Sequence, residues 1–184
     1  MVRDDRELVR QSRAGNHEAF RELFDRYHRQ VLAAAVGMTG NSDDAMDVVQ
    51  ETFVRAHRNL GSFLGESSFY TWLYRIAINV GIDFRRRQSR RAEVLQPEPI
   101  DESASDADRT PEPRVEMERR ELGERIGAAI DELTPEHKAA IILREIEGLS
   151  YEDISKVMQC SKGTVMSRLH YARKKLQAKL RDLL

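Results

Sequence analysis

The chain has 184 residues and a formal net charge of −1, enough length for one domain or two small ones. The near-zero total hides a partition: residues 1–91 carry 15 basic and 12 acidic side chains, residues 92–121 carry 4 and 10, and residues 122–184 carry 11 and 9, so nucleic-acid and protein partners both stay open. The single cysteine, Cys160, excludes an internal disulfide, and with neither an N-terminal signal pattern nor an apolar run of about 18 residues the expectation is a cytoplasmic protein without membrane insertion.

Apolar residues recur at three-to-four spacing nearly throughout, which predicts an all-α chain. Phe20, Leu23, Phe24, Tyr27, Val31, Ala34, Ala35 and Met38 trace one long helix, ended by Gly40 and Asn41. Ser42 caps the next, from about Asp43 to Asn59, which buries Met46, Val49, Phe53 and Ala56. Off that face lie Asp43, Asp44, Asp47, Gln50, Glu51 and Arg55. This acidic edge would repel DNA; it is either ordinary charge at a helix N-terminus or a surface for a protein partner.

A glycine- and serine-bearing loop around Phe63 and Leu64 spans Gly61 to Ser67. A third helix is predicted from Ser68 to Arg87, burying Phe69, Trp72, Leu73, Ile76 and Val80 and leading into Arg85, Arg86, Arg87, Arg90 and Arg91. Phe69 and Trp72 read as core. Tyr70 and Tyr74 are candidates for stacking on unpaired bases. Arg75, Asn79, Asp83 and Arg86 form a polar stripe on the same helix, either a solvated face or directional hydrogen-bonding groups beside phosphate-gripping arginines.

Residues 92–113 hold four of the five prolines among Ser, Asp and Glu, a composition that buries too little to order itself and predicts a flexible acidic linker. A second module begins near Arg114, with Leu122, Ile126, Ile130 and Leu133 on one helix face. Thr134 caps a further helix with Pro135 at its first position, and Gly148 closes it after Ile142, Leu143 and Ile146.

The last stretch reads as a DNA-binding end. Ser150 caps a short helix carrying Ile154, Val157 and Met158; Gln159, Cys160 and Ser161 break the pattern; and Gly163 supplies backbone freedom. Val165, Leu169, Ala172, Leu176 and Leu180 then mark a second helix. Between Lys156 and Arg181 the chain has Lys and Arg but no Asp or Glu. A solvated helical hairpin would account for the charge alone. The short turn together with a one-signed second helix fits a helix-turn-helix that presents its second helix to the major groove.

The histidines are scattered, and no zinc spacing, phosphate-binding glycine loop or nucleophile motif occurs, so neither an enzyme, a metal site nor a cofactor is expected. Cys160 reads as a small packing residue.

Three stretches carry a resemblance. Asp43 to Phe53 (DDAMDVVQETF), Ser68 to Asn79 (SFYTWLYRIAIN) and Gly163 to Leu169 (GTVMSRL), in that order with a variable linker before the third, resemble bacterial RNA polymerase sigma factors of the extracytoplasmic-function (ECF) subfamily. The resemblance covers nearly the whole chain. It implies a promoter-specificity subunit with promoter DNA and the RNA polymerase core as partners, an anti-sigma factor as regulator and no small-molecule substrate. Residues 1–91 would be a region 2-like module that binds core and recognises and melts the −10 element; residues 92–121 would be the linker and the start of the next helix; residues 122–184 would be a region 4-like module that recognises the −35 element.

By the same resemblance, Asp47, Gln50, Glu51 and Arg55 would grip core polymerase. Phe63, Leu64, Glu66, Tyr70, Tyr74, Arg75, Asn79, Asp83 and Arg86 would meet −10 DNA. Lys162, Thr164, Met166, Ser167, Arg168, His170, Tyr171, Arg173 and Lys174 would meet −35 DNA, with Met166 and Tyr171 departing from the arginines common at those positions. The linker would thread the basic channel through which RNA leaves. Nothing in the chain reads as a sensor domain, so regulation is expected from a partner that covers these surfaces. The alternative is a helix-turn-helix regulator that acts without core; it would need a dimer seam or a receiver domain, and neither pattern is present.

Overall fold

The computed structural model describes residues 3–94 and 114–183. The acidic segment expected to be a flexible, channel-threading linker lies almost wholly outside them. Among the described residues every regular element is helical.

The helices are α1 (Asp5–Arg13), α2 (His17–Thr39), α3 (Ser42–Asn59), α4 (Phe69–Val94), α5 (Arg114–Asp131), α6 (Pro135–Ile141), α7 (Tyr151–Met158) and α8 (Lys162–Lys179). Helix α1 escaped the sequence pattern because only Leu8 and Val9 are buried along it, too few for a period to show. Ion pairs from Arg26 to Asp5 and from Arg3 to Glu22 tie it to α2.

Helices α2, α3 and α4 pack against one another as the body of the first module. Asn16 caps α2, accepting from the Ala19 amide, and Gly40 ends it at φ 88° with its N–H on the Val36 carbonyl, the left-handed stop that glycine takes without steric cost. The cap of α3 is Asn41 and not Ser42: its side chain accepts from the Asp44 amide at 2.8 Å. The buried stripe of α3 is Ala45, Val48, Val49, Thr52, Phe53 and Ala56. Met46 stays 57% exposed, since it lies about 90° from the stripe's centre at 100° per residue. Helix α4 runs through the arginine cluster instead of ending at it.

In the second module, Thr134 caps α6 with Pro135 in its first turn. The helix then widens into a π-turn over Ile142–Ile146, where the Glu147 amide reaches the Ile142 carbonyl at 3.1 Å. Ile146 is turned to solvent, and Gly148 takes φ 66°. On α5 Leu122 and Ile126 are exposed as well, while Leu133, just past its end, is buried.

One buried cluster joins the modules. Helix α4 carries α7 and α6, and the end of α2 meets the π-turn. Contact is close at two glycines. A Cβ at Gly37 would stand 3.1 Å from Ile142 Cδ1, and one at Gly40 would stand 3.2 Å from an Asp131 carboxylate oxygen.

Candidate nucleic-acid interface

The acidic edge of α3 faces solvent. Asp47 and Gln50 are exposed, and Glu51 takes the Arg55 guanidinium at 2.6 Å one turn on, a pair that neutralises both charges locally. Between this edge and the end of α4 lies an open cleft of about 1320 Å³. Asp44, Asp47 and Glu51 form one wall, Arg87, Arg90 and Arg91 the other, over Val48, Val80 and Phe84.

The loop between α3 and α4 begins with a tight turn at Leu60–Ser62. Leu64 is 78% exposed, Gly65 has φ 78° and Glu66 is exposed, so residues 64–66 form a projecting tip. Phe63, expected on the DNA-facing surface, is buried. Its ring lies edge-on to Phe69 with centroids 5.9 Å apart, and 5.4 Å from Trp72, an aromatic packing that anchors the loop in the core. Arg13 of α1, absent from the sequence-based candidates, donates to the carbonyls of Leu60, Gly61 and Phe63 from below.

Tyr74, expected to stack on bases, is fully buried, and Tyr70 is half-buried beside it with centroids 4.4 Å apart. The reason is tertiary: both hydroxyls point at Glu147 of the second module, Tyr74 donating at 2.6 Å and Tyr70 at 3.4 Å. Burial pushes both phenols above their ordinary pKa, which keeps them donors. Asn79 and Asp83 are exposed and Arg75 is half-buried. Arg86 reaches across to Glu136 at 2.6 Å. The −10 candidates therefore divide into an exposed tip and stripe, a tyrosine pair covered by the second module, and Phe63 in the core of the first.

Ser161 caps α8, its hydroxyl accepting from the Thr164 amide at 3.1 Å. The left-handed residue of the preceding turn is Gln159, at φ 50° and ψ 46°; Gly163, expected to supply the turn's freedom, sits inside the helix. Met166, Ser167, His170, Tyr171 and Lys174 are exposed along α8, and Thr164 is half-buried. Arg168, expected on the DNA side, turns inward, its guanidinium 3.7 Å from Cys160 Sγ and 4.0 Å from Met158 Sδ. Lys162 is paired with Glu152, whose carboxyl that bond holds below the usual range. Arg173 is paired with Glu145 at 2.6 Å, which raises the guanidinium's pKa.

Among the described residues no three His, Cys, Asp or Glu side chains converge on a metal site, and no helix is long and apolar enough to cross a membrane.

Family models match both modules: Sigma-70 region 2 over residues 23–91 and Sigma-70, region 4 over residues 123–176. Over 98% of its length the chain is 39% identical to the RNA polymerase sigma-H factor of Pseudomonas aeruginosa, covering 95% of that protein. Over the same share it is 41% identical to the ECF RNA polymerase sigma-E factor of Haemophilus influenzae, covering 97% of it. Solved structures are similar as well. CnrH, in complex with the cytosolic domain of CnrY, matches with TM-score 0.69 and 28% identity over 97% of both chains. The sigma factor RpoE of Bartonella quintana, in complex with the anti-sigma factor NepR, matches with TM-score 0.65 and 26% identity over 88% of this chain and 96% of that one.

Proposed function

The chain belongs to the sigma-70 family as an ECF-type sigma factor, a transcription initiation factor and not an enzyme, and from that premise we propose how its surfaces divide the work. Core polymerase docks on the exposed edge of α3 through Asp47 and Gln50, with the Glu51–Arg55 pair beside them. The tip formed by Leu64 and Glu66, with Asn79, Asp83, Arg86 and Arg75 of α4, opens and reads the −10 element. Thr164, Met166, Ser167, His170, Tyr171 and Lys174 of α8 meet the −35 element, while Lys162 and Arg173 exchange their glutamates for phosphates.

The observation that carries this reading is the separation of charge. Carboxylates line the solvent edge of α3, whereas α8 carries none along its whole exposed length. DNA favours the second surface and a protein the first.

The elements' own names put their centres about 25 base pairs apart, roughly 85 Å at about 3.4 Å per step. A globule of this length is only about 40 Å across by the usual scaling. The two modules therefore separate on polymerase, which frees Tyr70 and Tyr74 for bases. As the anti-sigma factor NepR is bound to the similar RpoE, an anti-sigma factor would hold this one by covering the same surfaces, in the cytoplasm where polymerase works.

Replacing Asp47 and Gln50 with Ala tests the docking edge. The double variant is expected to keep its helical circular dichroism and to co-elute poorly with core polymerase; undiminished co-elution overturns the assignment.

A further inference from the structure

Arg13 closes α1, a helix outside the residues matched to region 2. Its place is fixed from both sides. Leu8 and Val9 are buried against the first module, and past the helix end the amides of Ala14 and Gly15 return to carbonyls of α1. From there the guanidinium reaches about fifty residues along the sequence. Nε donates to the Leu60 carbonyl at 2.9 Å, and Nη2 donates to the Gly61 carbonyl at 3.0 Å and to the Phe63 carbonyl.

These carbonyls form the base of the loop. Leu60 and Phe63 are buried on either side of exposed Gly61 and Ser62, and directly after Phe63 the chain turns out into the Leu64–Glu66 tip. The apolar anchors set the depth of the loop, and the Phe63 amide, donating to the Leu60 carbonyl at 3.2 Å, closes its turn; the peptide planes that present the Gly61 and Phe63 carbonyls keep some rotation. A planar fork of fixed donors holding three carbonyls restricts that rotation, which a single ammonium cannot do.

We propose that Arg13 is a positioning residue for strand opening: its fork orients the base of the 60–63 turn so that the Leu64–Glu66 tip projects in the one direction in which it holds a freed base. This rests on the reading of the tip as the −10 reader. Arg13 itself need not touch DNA; it acts through the tip.

The test uses holoenzyme reconstituted with core polymerase and a promoter selected from a randomised library by the unaltered factor. Arg13→Ala, Arg13→Lys, the tip variant Leu64→Ala with Glu66→Ala, and the combination are compared by permanganate reactivity of the bubble and by closed-complex binding. Misplacement on the ångström scale costs reaction steps roughly ten- to a hundredfold, so a loss in that range is expected for Arg13→Ala in bubble formation, with closed-complex binding and core co-elution unchanged. Arg13→Lys is expected not to rescue it, and the combination to be no worse than the tip variant alone, since two changes on one path do not add.

Rescue by Lys would mean that the positive charge suffices, and overturns positioning by the fork. Additive losses, or a full effect of Arg13→Ala where the tip variant has none, overturn action through the tip. A tip variant that loses the bubble beside an Arg13→Ala that keeps it overturns the proposal and leaves the tip's reading standing; if neither variant loses the bubble, both fall.

Discussion

Lys138 carries the least expected chemistry in the chain. Its side chain is 1% exposed, and its ammonium stands 2.5 Å from Asp131, which also lies 3.5 Å from Arg85 of the first module. Burial holds the lysine pKa below its ordinary 10.5, against the opposing pull of Asp131. A buried ion pair is often no more stabilising than an apolar pair, whereas a buried charge left alone is costly. Lys138→Met is therefore expected to leave the melting temperature unchanged or raise it, because Asp131 keeps Arg85. Asp131→Ala is expected to destabilise by about 2 kcal/mol, below the usual 3–5 for a fully buried pair because water reaches that carboxylate. Because the folded pKa is depressed, the cost of burying the ammonium applies in full at lower pH and is relieved as pH climbs through the lowered value toward 10.5. The wild type should thus gain on Lys138→Met in alkaline melts; a gap that stays flat with pH would remove the buried charge as its source.

At the scale of elements, the turn of the helix-turn-helix is the informative case. Gln159 occupies the left-handed region at φ 50°, while the Ser155 hydroxyl donates to the Cys160 carbonyl at 2.6 Å and holds the turn shut. A side chain in that region costs about 1–2 kcal/mol, which glycine avoids at some expense in unfolded-state freedom. Gln159→Gly is expected to stabilise by about 0.5–1 kcal/mol in denaturant titration, whereas Gln159→Ala should give no gain. Ser161→Ala should lose about 1 kcal/mol by uncapping α8. Sequence reasoning located this motif through its apolar periods but gave the special backbone to Gly163, because composition points to glycine while the length of α7 decides where its stop falls. The same limit explains α5: periodicity shows that Leu122 and Ile126 share a face, not that anything covers it. The polar edge of α3 and the open face of α8 were legible because each lies opposite a buried stripe of its own helix. The burial of Tyr74 and the reach of Arg13 depend on partners distant in sequence, and Phe63 and Arg168 fold back across a turn onto the neighbouring element; the period of a single helix encodes neither.

For the whole molecule, the packed arrangement depends on close approach at Gly37, where Ile142 leaves little room for a side chain. Gly37→Leu should wedge the second module off the first without touching the tip, the α3 edge or the α8 face. Solution scattering on the free chain is expected to give a radius of gyration of roughly 16 Å for the wild type and several ångströms more for the variant. The variant should also photocrosslink more readily to a single-stranded −10 oligonucleotide through Tyr70 and Tyr74. Equal radii with unchanged crosslinking would mean that the modules part as easily with Gly37 as without it.

The ion pairs that bridge the modules, Arg86 with Glu136 and Arg85 with Asp131, bear on how promoter affinity responds to ionic strength. Each phosphate neutralised on duplex DNA releases condensed counterions, and affinity falls with salt at a slope of about −0.9 per phosphate. On the proposed docking some of those contacts become exchanges: Arg86 can reach a phosphate only by leaving a carboxylate that then gathers cations of its own. Salt weakens the DNA contact and the bridge together, so the measured slope will understate the number of phosphates held. Glu136→Gln, which dissolves one bridge in advance, should steepen it.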